Sequence, residues 1–156
     1  MFAANRFFAC ATLVGFALGS LFFAQRASSR SPQVPVTDVP AYHAQSPQGT
    51  LPSTMSPEEF ADPVVKNAYA AAAKVRKALY QQPCFCHCDR SQGHESLLDC
   101  FASKHGSGCG TCMLETLYTF EQTRKGKTPA QIRAGIERGE WKTIDLKKYQ
   151  SPLSVK

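Results

Sequence analysis

The stretch that decides the fold of this chain opens with Pro83-Cys84-Phe85-Cys86-His87-Cys88. Cys100 follows, and Cys109-Gly110-Thr111-Cys112 closes a set of six cysteines that lie within 29 residues. Thiols at this density form metal sites, disulfides or redox centres, because cysteine chemistry usually decides where cysteine is retained. We therefore place the function of the protein in this stretch.

The spacing of the cysteines predicts their local arrangement. In an extended segment, side chains at i and i+2 point to the same face, so Cys84, Cys86 and Cys88 are expected to present three sulfurs on one side. Cys109 and Cys112 have the C-x-x-C spacing, which places two sulfurs together on a first helical turn or on a metal-binding knuckle. A helix dipole also lowers the pKa of a thiol near the helix N-terminus.

Three interpretations of these cysteines remain open. The first is a soft or borderline metal ion, zinc or Cu(I), held mainly by thiolates. The second is thiol–disulfide chemistry by Cys109 and Cys112 or by the 84–88 cluster, where a bridge between cysteines only two apart would be strained and oxidising. The third is a set of three disulfides that staples an interaction module, with a connectivity that the sequence leaves undetermined.

Two histidines between the cysteines extend the candidate metal site. His94 precedes an apolar run, and His105 lies in a loop that leads into the C-x-x-C pair. Either imidazole can complete a coordination shell or tune the pKa of a thiol, whereas His87 is expected to face away from the cysteines that flank it. The predicted ligands of a zinc or Cu(I) ion are therefore Cys84, Cys86, Cys88, His94, Cys100, His105, Cys109 and Cys112.

The run 83–88 resembles the Pro-Cys-Tyr-Cys-Gly-Cys signature of a family of bacterial extracytoplasmic proteins, the PCYCGC or CYCXC family. The resemblance continues through residues 93–101, 105–112 and 126–132 and covers about residues 57–141. Phe85 stands at the tyrosine position of the family and His87 at its glycine position, where a backbone conformation that only glycine takes easily would be disfavoured. Many members look like lipoproteins, and some carry selenocysteine in the first cluster. The resemblance implies a location and a thiol site, but no reaction.

An uncharged stretch over residues 7–24 has the length of a membrane span, about 27 Å as a helix. No small-x-small cleavage site follows it, and Cys10 lacks the apolar core that precedes a lipidated cysteine. Residues 1–27 are thus expected to be an uncleaved signal anchor in the cytoplasmic membrane, with the domain on the extracytoplasmic side. The alternative is a secreted protein whose signal is cleaved. Small residues four apart in this helix allow a weak homodimer, although glycine is also simply common in membrane helices.

The remaining chain predicts a linker, an all-α domain and a tail. Residues 28–56 are rich in Ser, Pro and Gln and are expected to form a disordered linker. Residues 57–144 are expected to form a small helical Cys-rich domain, and residues 145–156 a loose basic tail. A core of this size gives only marginal stability without disulfides or a bound metal ion. A structural thiolate metal site contributes about 10–16 kcal/mol of binding energy that is linked to folding.

Helix signals divide the domain. Ser56-Pro57-Glu58-Glu59 and Asp62-Pro63 are helix starts, and an apolar stripe at helical spacing follows them as far as Leu79. A short helix is expected around Leu97–Phe101 and a longer one from about Cys109 to Lys125. A capping box at residues 128–131 opens a last helix.

Charge and motifs exclude several classes of function. The net charge is +6, but no compact basic patch with interleaved aromatic residues is present, which argues against a nucleic-acid partner. The chain has no phosphate-binding loop, no Gly-x-Ser-x-Gly and no His-Glu-x-x-His, so an enzymatic role is not favoured. The expected partners are the cytoplasmic membrane and a protein that exchanges metal or thiols with this one.

Overall fold

The structure, a computed structural model, describes residues 38–153. Over that range the chain forms helices and no strand, so the predicted all-α class is confirmed there. The α-helices are α1 (Pro63–Lys74), α2 (Arg76–Leu79), α3 (Cys88–Gln92), α4 (Gly110–Arg124) and α5 (Pro129–Glu137). The 3-10 helices are Pro57–Glu59, Leu97–Phe101, Lys104–Gly108, Glu140–Thr143 and Leu146–Tyr149.

The predicted signal anchor over residues 1–27 and its weak homodimer lie outside the described residues. Within residues 38–153, none of the helices combines the length and the apolar character that crossing a bilayer requires.

Local capping signals place the start of α1. The Asp62 carboxylate accepts the backbone N–H groups of Val64 and Val65 at 2.8 and 3.0 Å, directly before Pro63 at the first helical position. The Ser56 signal gives only the 3-10 turn Pro57–Glu59, because the backbone becomes extended at Phe60. The apolar stripe that was predicted to reach Leu79 is interrupted at Val75, so that α2 continues it as a separate turn.

The end of α4 and the start of α5 lie where the sequence predicts. The α4 helix stops before Gly126, whose φ of 78° is left-handed. The Thr128 hydroxyl then accepts the N–H of Gln131 at 3.3 Å, while the Gln131 side chain accepts the N–H of Thr128 at 2.9 Å, which forms the predicted capping box of α5.

The core lies between α1 and α4 and is closed by the short elements that carry the cysteines. Its largest side chains are fully buried, and each contributes roughly 1.5–3 kcal/mol by leaving water. Tyr69 and Phe101 meet edge to face with ring centroids 4.9 Å apart. These large core residues are Tyr69, Leu79, Leu97, Leu98, Phe101 and Leu117.

Residues 38–55 have no helix or strand, yet they contact the helices. The Met55 N–H donates to the carbonyl of Phe101 at 2.9 Å, and the Arg76 guanidinium donates to the carbonyl of Leu51 at 2.6 Å. His43 stacks on Tyr80 with ring centroids 3.9 Å apart. This part of the predicted linker therefore packs on the domain.

Residues 145–153, which belong to the predicted tail, also contact the helices. The buried Asn67 amide donates to the carbonyls of Tyr149 and Ser151 at 2.7 and 2.8 Å, and its oxygen accepts the N–H of Leu153. The Tyr149 hydroxyl donates to the Glu121 carboxylate at 2.6 Å. This segment thereby joins α1 to α4.

Candidate metal centre

The C-x-C-x-C run forms a tight turn, so the expected extended segment with three sulfurs on one side is wrong. The His87 N–H donates to the carbonyl of Cys84 at 3.0 Å, which closes the turn. His87 has φ 56° and ψ 35°, a left-handed conformation that reverses the chain, and Cys88 then begins α3. The third sulfur of the run thereby meets Cys100 and does not join the group that holds the first two.

Cys84 and Cys86 meet Cys112 in a group of three sulfurs, here called the three-thiol group. The sulfur of Cys84 lies 3.3 Å from that of Cys86 and 3.4 Å from that of Cys112, and Cys86 and Cys112 are 3.6 Å apart. Cys112 belongs to the first turn of α4, as the C-x-x-C spacing predicts. Cys84 and Cys112 are buried, whereas Cys86 is half-buried and gives the group its more open edge.

Cys88 and Cys100 meet His94 and His105 in a second group, here called the mixed group. The sulfurs of Cys88 and Cys100 are 3.3 Å apart, and His94 Nδ1 lies 3.3 Å from the Cys100 sulfur. The two imidazole rings meet edge to face with centroids 5.0 Å apart. All four residues come from the segment of short helices and turns between α2 and α4.

Both groups fit a metal ion. Within each group one donor atom from every residue lies within 4.8 Å of the others. Two thiolates on one tetrahedral zinc ion are about 3.8 Å apart, because Zn–S bonds are about 2.3 Å long, so the observed sulfur separations need to open by only a few tenths of an ångström. In the mixed group, the buried Nε2 of His105 has no hydrogen-bond partner among residues 38–153, which is the state of a nitrogen that awaits a ligand.

Cys109 lies beside the three-thiol group but outside it. Its sulfur caps α4 by accepting the N–H of Cys112 at 3.5 Å. Burial is the main cause that raises the pKa of Cys109 to about 12, so this half-buried residue is a thiol at neutral pH.

Neighbouring thiols lower the pKa of three cysteines in the two groups. Hydrogen bonds from Cys100 and Cys84 lower the pKa of Cys112 to about 3. The pKa of Cys86 is lowered mainly by Cys84, and that of Cys88 mainly by Cys100. The donors of these bonds keep their protons at neutral pH.

Cys100 belongs to the mixed group but also influences the pKa of the neighbouring three-thiol group. Its thiol is the main cause that raises the pKa of Cys84, and the nearby Cys112 is the main cause that raises the pKa of Cys100. The direct contacts of the Cys100 sulfur are with Cys88 and His94.

His105 lies close to the thiolates of both groups. Burial opposes the charged form of its imidazole, but the nearby Cys86 side chain and the negative charges of Cys112 and Cys88 outweigh that effect and raise the pKa of His105.

Glu115 supports the three-thiol group from α4. Its carboxylate is fully buried and accepts the N–H of Phe85 at 3.0 Å, which fixes the turn between Cys84 and Cys86. Burial raises the pKa of Glu115 well above its usual value, against the opposing hydrogen bonds from Phe85 and Cys84. Glu115 is not among the residues predicted from the sequence; its only signal there is a position three residues after Cys112, on the same helix face.

The structure thus brings seven of the eight predicted ligands into two groups, with Cys109 next to them. The sequence predicts these donors but not their division, because the division depends on the left-handed turn at His87.

A family model described as "Protein of unknown function with PCYCGC motif" matches residues 38–144. No curated protein and no solved structure matches the chain.

Proposed function

We propose that this chain, which belongs to the family of proteins with a PCYCGC motif, is a thiolate-rich metal-binding protein that takes up zinc or Cu(I). One observation carries the proposal: seven cysteine and histidine side chains converge into two groups, each with donor atoms within 4.8 Å of one another. Soft thiolate and imidazole donors select zinc and Cu(I) over hard cations.

The burial of these donors supports binding over incidental packing. Cys84, Cys88, Cys100 and Cys112 are each no more than 2% exposed, and three of the group cysteines have a lowered pKa. Collecting thiolates in a buried site costs free energy unless a cation compensates their charge. A bound metal ion supplies that compensation and helps to stabilise a small domain.

The location of the protein is part of the proposal and rests on the sequence. The uncharged stretch 7–24 and the family resemblance favour a membrane-anchored protein with its domain on the extracytoplasmic side. In that place the protein would sequester metal ions or deliver them to an exchange partner.

A thiol–disulfide role is the second candidate, and Cys86 is the observation in its favour. Cys86 is half-buried, its pKa is lowered by the hydrogen bond from Cys84, and two other sulfurs lie within 3.6 Å of it. In such a reaction the sulfurs of Cys86 and Cys112 would join as a disulfide and pass two electrons to an oxidised partner disulfide. The partner becomes two thiols as its sulfurs take up two protons from the pair and from water. The third interpretation, a module stapled by three bridges, gains no support, because the six cysteines between residues 38 and 153 are free thiols.

Purification of the full chain without oxygen separates these functions. Elemental analysis with thiol titration is expected to give bound zinc or copper in whole-number ratio to protein, with all group cysteines reduced. Metal-free protein that takes up neither ion, but has a thiol pair that is reversibly oxidised at mild potential, would overturn the proposal in favour of redox chemistry.

A matched pair of variants tests the site. Cys112→Ser removes a donor of the three-thiol group and is expected to reduce bound metal. Cys109→Ser keeps an N-cap acceptor for α4 and removes a cysteine outside both groups, so the bound metal should be unchanged.

A further inference from the structure

We propose that the two groups hold two different ions: a resident zinc ion in the mixed group and an exchangeable Cu(I) ion in the three-thiol group. This inference rests on the proposed function and deepens it by assigning an ion and a role to each group.

The donor chemistry differs between the groups. The mixed group offers two thiolates and two imidazoles, the Cys2His2 set that completes a tetrahedral shell around structural zinc. The three-thiol group offers sulfur alone. An all-sulfur set favours the softer monovalent ion, since thiolates are the ligands that select Cu(I).

The number of donors points the same way. Structural zinc is almost always four-coordinate, and three sulfurs leave such a shell incomplete. A monovalent ion with a filled d shell is satisfied by two or three thiolates. The three sulfurs form a nearly regular triangle with edges of 3.3, 3.4 and 3.6 Å, and the sulfur of Cys109 does not join it.

The positions of the groups give them different roles. The mixed group gathers its donors from Cys88 to His105, a stretch with only short helical turns, so an ion there would hold these turns together. The three-thiol group is built on the start of α4, and its open edge is the half-buried Cys86. An ion at that edge is within reach of a thiol from another protein, whereas the ion of the mixed group stabilises the fold of the turns around it.

X-ray absorption at the zinc and copper edges tests the assignment on the full parent chain. The protein is purified without oxygen and loaded with one equivalent of Zn(II) and one of Cu(I). We expect nitrogen and sulfur neighbours around zinc and sulfur neighbours alone around copper. Sulfur alone around zinc, or nitrogen around copper, would overturn the assignment.

Variants test the independence of the two groups by competition with a chromophoric chelator. Cys86→Ser should weaken Cu(I) binding more than about 100-fold, beyond the loss typical of an outer-shell change, and leave zinc bound. His105→Ala should weaken zinc binding to a similar extent and leave Cu(I) bound. Cys109→Ser should retain both ions.

The outcomes distinguish this inference from the proposed function. A reduced chain that binds neither ion refutes both. A chain that binds the same ion in both groups, or that loses both ions in Cys86→Ser and in His105→Ala alike, refutes the division but leaves metal binding intact.

Discussion

Gly106 lies so close to Cys100 that a Cβ atom at residue 106 would be 2.9 Å from the Cys100 carbonyl oxygen. The same Cβ would be 3.3 Å from the Phe101 ring and from the Tyr69 hydroxyl. Gly106 directly follows His105 in the 3-10 helix Lys104–Gly108. The absence of a side chain here lets the loop that carries His105 approach the backbone that carries Cys100.

Gly106→Ala should therefore damage the mixed group. The methyl group must displace backbone, which costs about 1–3 kcal/mol and moves His105 away from Cys100. We expect a lower melting temperature and weaker zinc binding, measured by calorimetry and by chelator competition. Gly108→Ala is the control, because no atom outside its neighbours lies within 4 Å of its Cβ position. Equal behaviour of the two variants would contradict the close approach.

At the position of His87, glycine is expected to give a more stable protein than alanine. At φ 56° a Cβ atom costs roughly 1–2 kcal/mol, a penalty that glycine does not have. His87→Gly should therefore be more stable to urea than His87→Ala by about 1 kcal/mol. In an ordinary backbone conformation the order would be reversed, since glycine is then the less stable of the two by about 0.5–1 kcal/mol. The reversed order would rule out the left-handed turn.

Glu115→Gln should change how stability depends on pH. A folded-state pKa above the unfolded value gives stability that is complete at low pH and is lost as pH rises through the folded-state pKa. From about pH 4.5 upward, the parent should therefore lose stability relative to Glu115→Gln, by at most about 1.4 kcal/mol per pH unit. Glutamine keeps an acceptor for the Phe85 N–H.

Urea unfolding of the parent and of Glu115→Gln at several pH values measures this difference. Pairwise comparison removes the pH dependence that both chains share, including that of the thiols. A difference that stays constant from pH 4.5 to 8 would show that Glu115 is ionised in the folded protein, against the expected outcome.

Metal uptake should release a small number of protons. The raised pKa values of Cys84 and Cys100 leave these thiols protonated at pH 7, whereas the strongly lowered pKa values of Cys88 and Cys112 make them thiolates already. Filling both groups should therefore release about two thiol protons per chain, plus up to one each from Cys86 and His105. Binding that releases protons tightens as pH rises.

Calorimetric titration in buffers of different ionisation enthalpy counts these protons. The metal is added to reduced protein at pH 7, and Cys84→Ser should lower the count by about one. Release of five or more protons from the parent would show that the group cysteines are ordinary thiols before metal binds.

Much of the fold follows from local signals. Asp62, Thr128 and Gly126 act through hydrogen bonds and backbone angles within three residues of themselves, so their patterns predict the starts of α1 and α5 and the end of α4 closely. No such local signal determines the backbone conformation of the C-x-C-x-C run. Its two-residue period fits a strand, but His87 adopts a left-handed conformation that is uncommon for a residue with a side chain.

No pattern in the sequence predicts the contacts between residues that are far apart along the chain. Asn67 bonds the carbonyls of Tyr149 and Ser151 across more than eighty residues, and a backbone carbonyl is the same in every sequence. In the sequence, Glu115 looks the same as an exposed polar residue of a helix, although it is fully buried against the turn at Phe85. Such polar contacts depend on how helices meet, which periodicity alone does not specify.

The seven donors lie on one continuous piece of chain whose two ends are fastened to helices, Cys84 after α2 and Cys112 in α4. In mechanical terms, metal ions would be the stiffest links of that piece. A protein without bound metal ions would then unfold locally in this segment first, while the α1–α4 core stays folded. Protease nicks confined to the interval between Cys88 and Cys109 would serve as a gauge of metal supply.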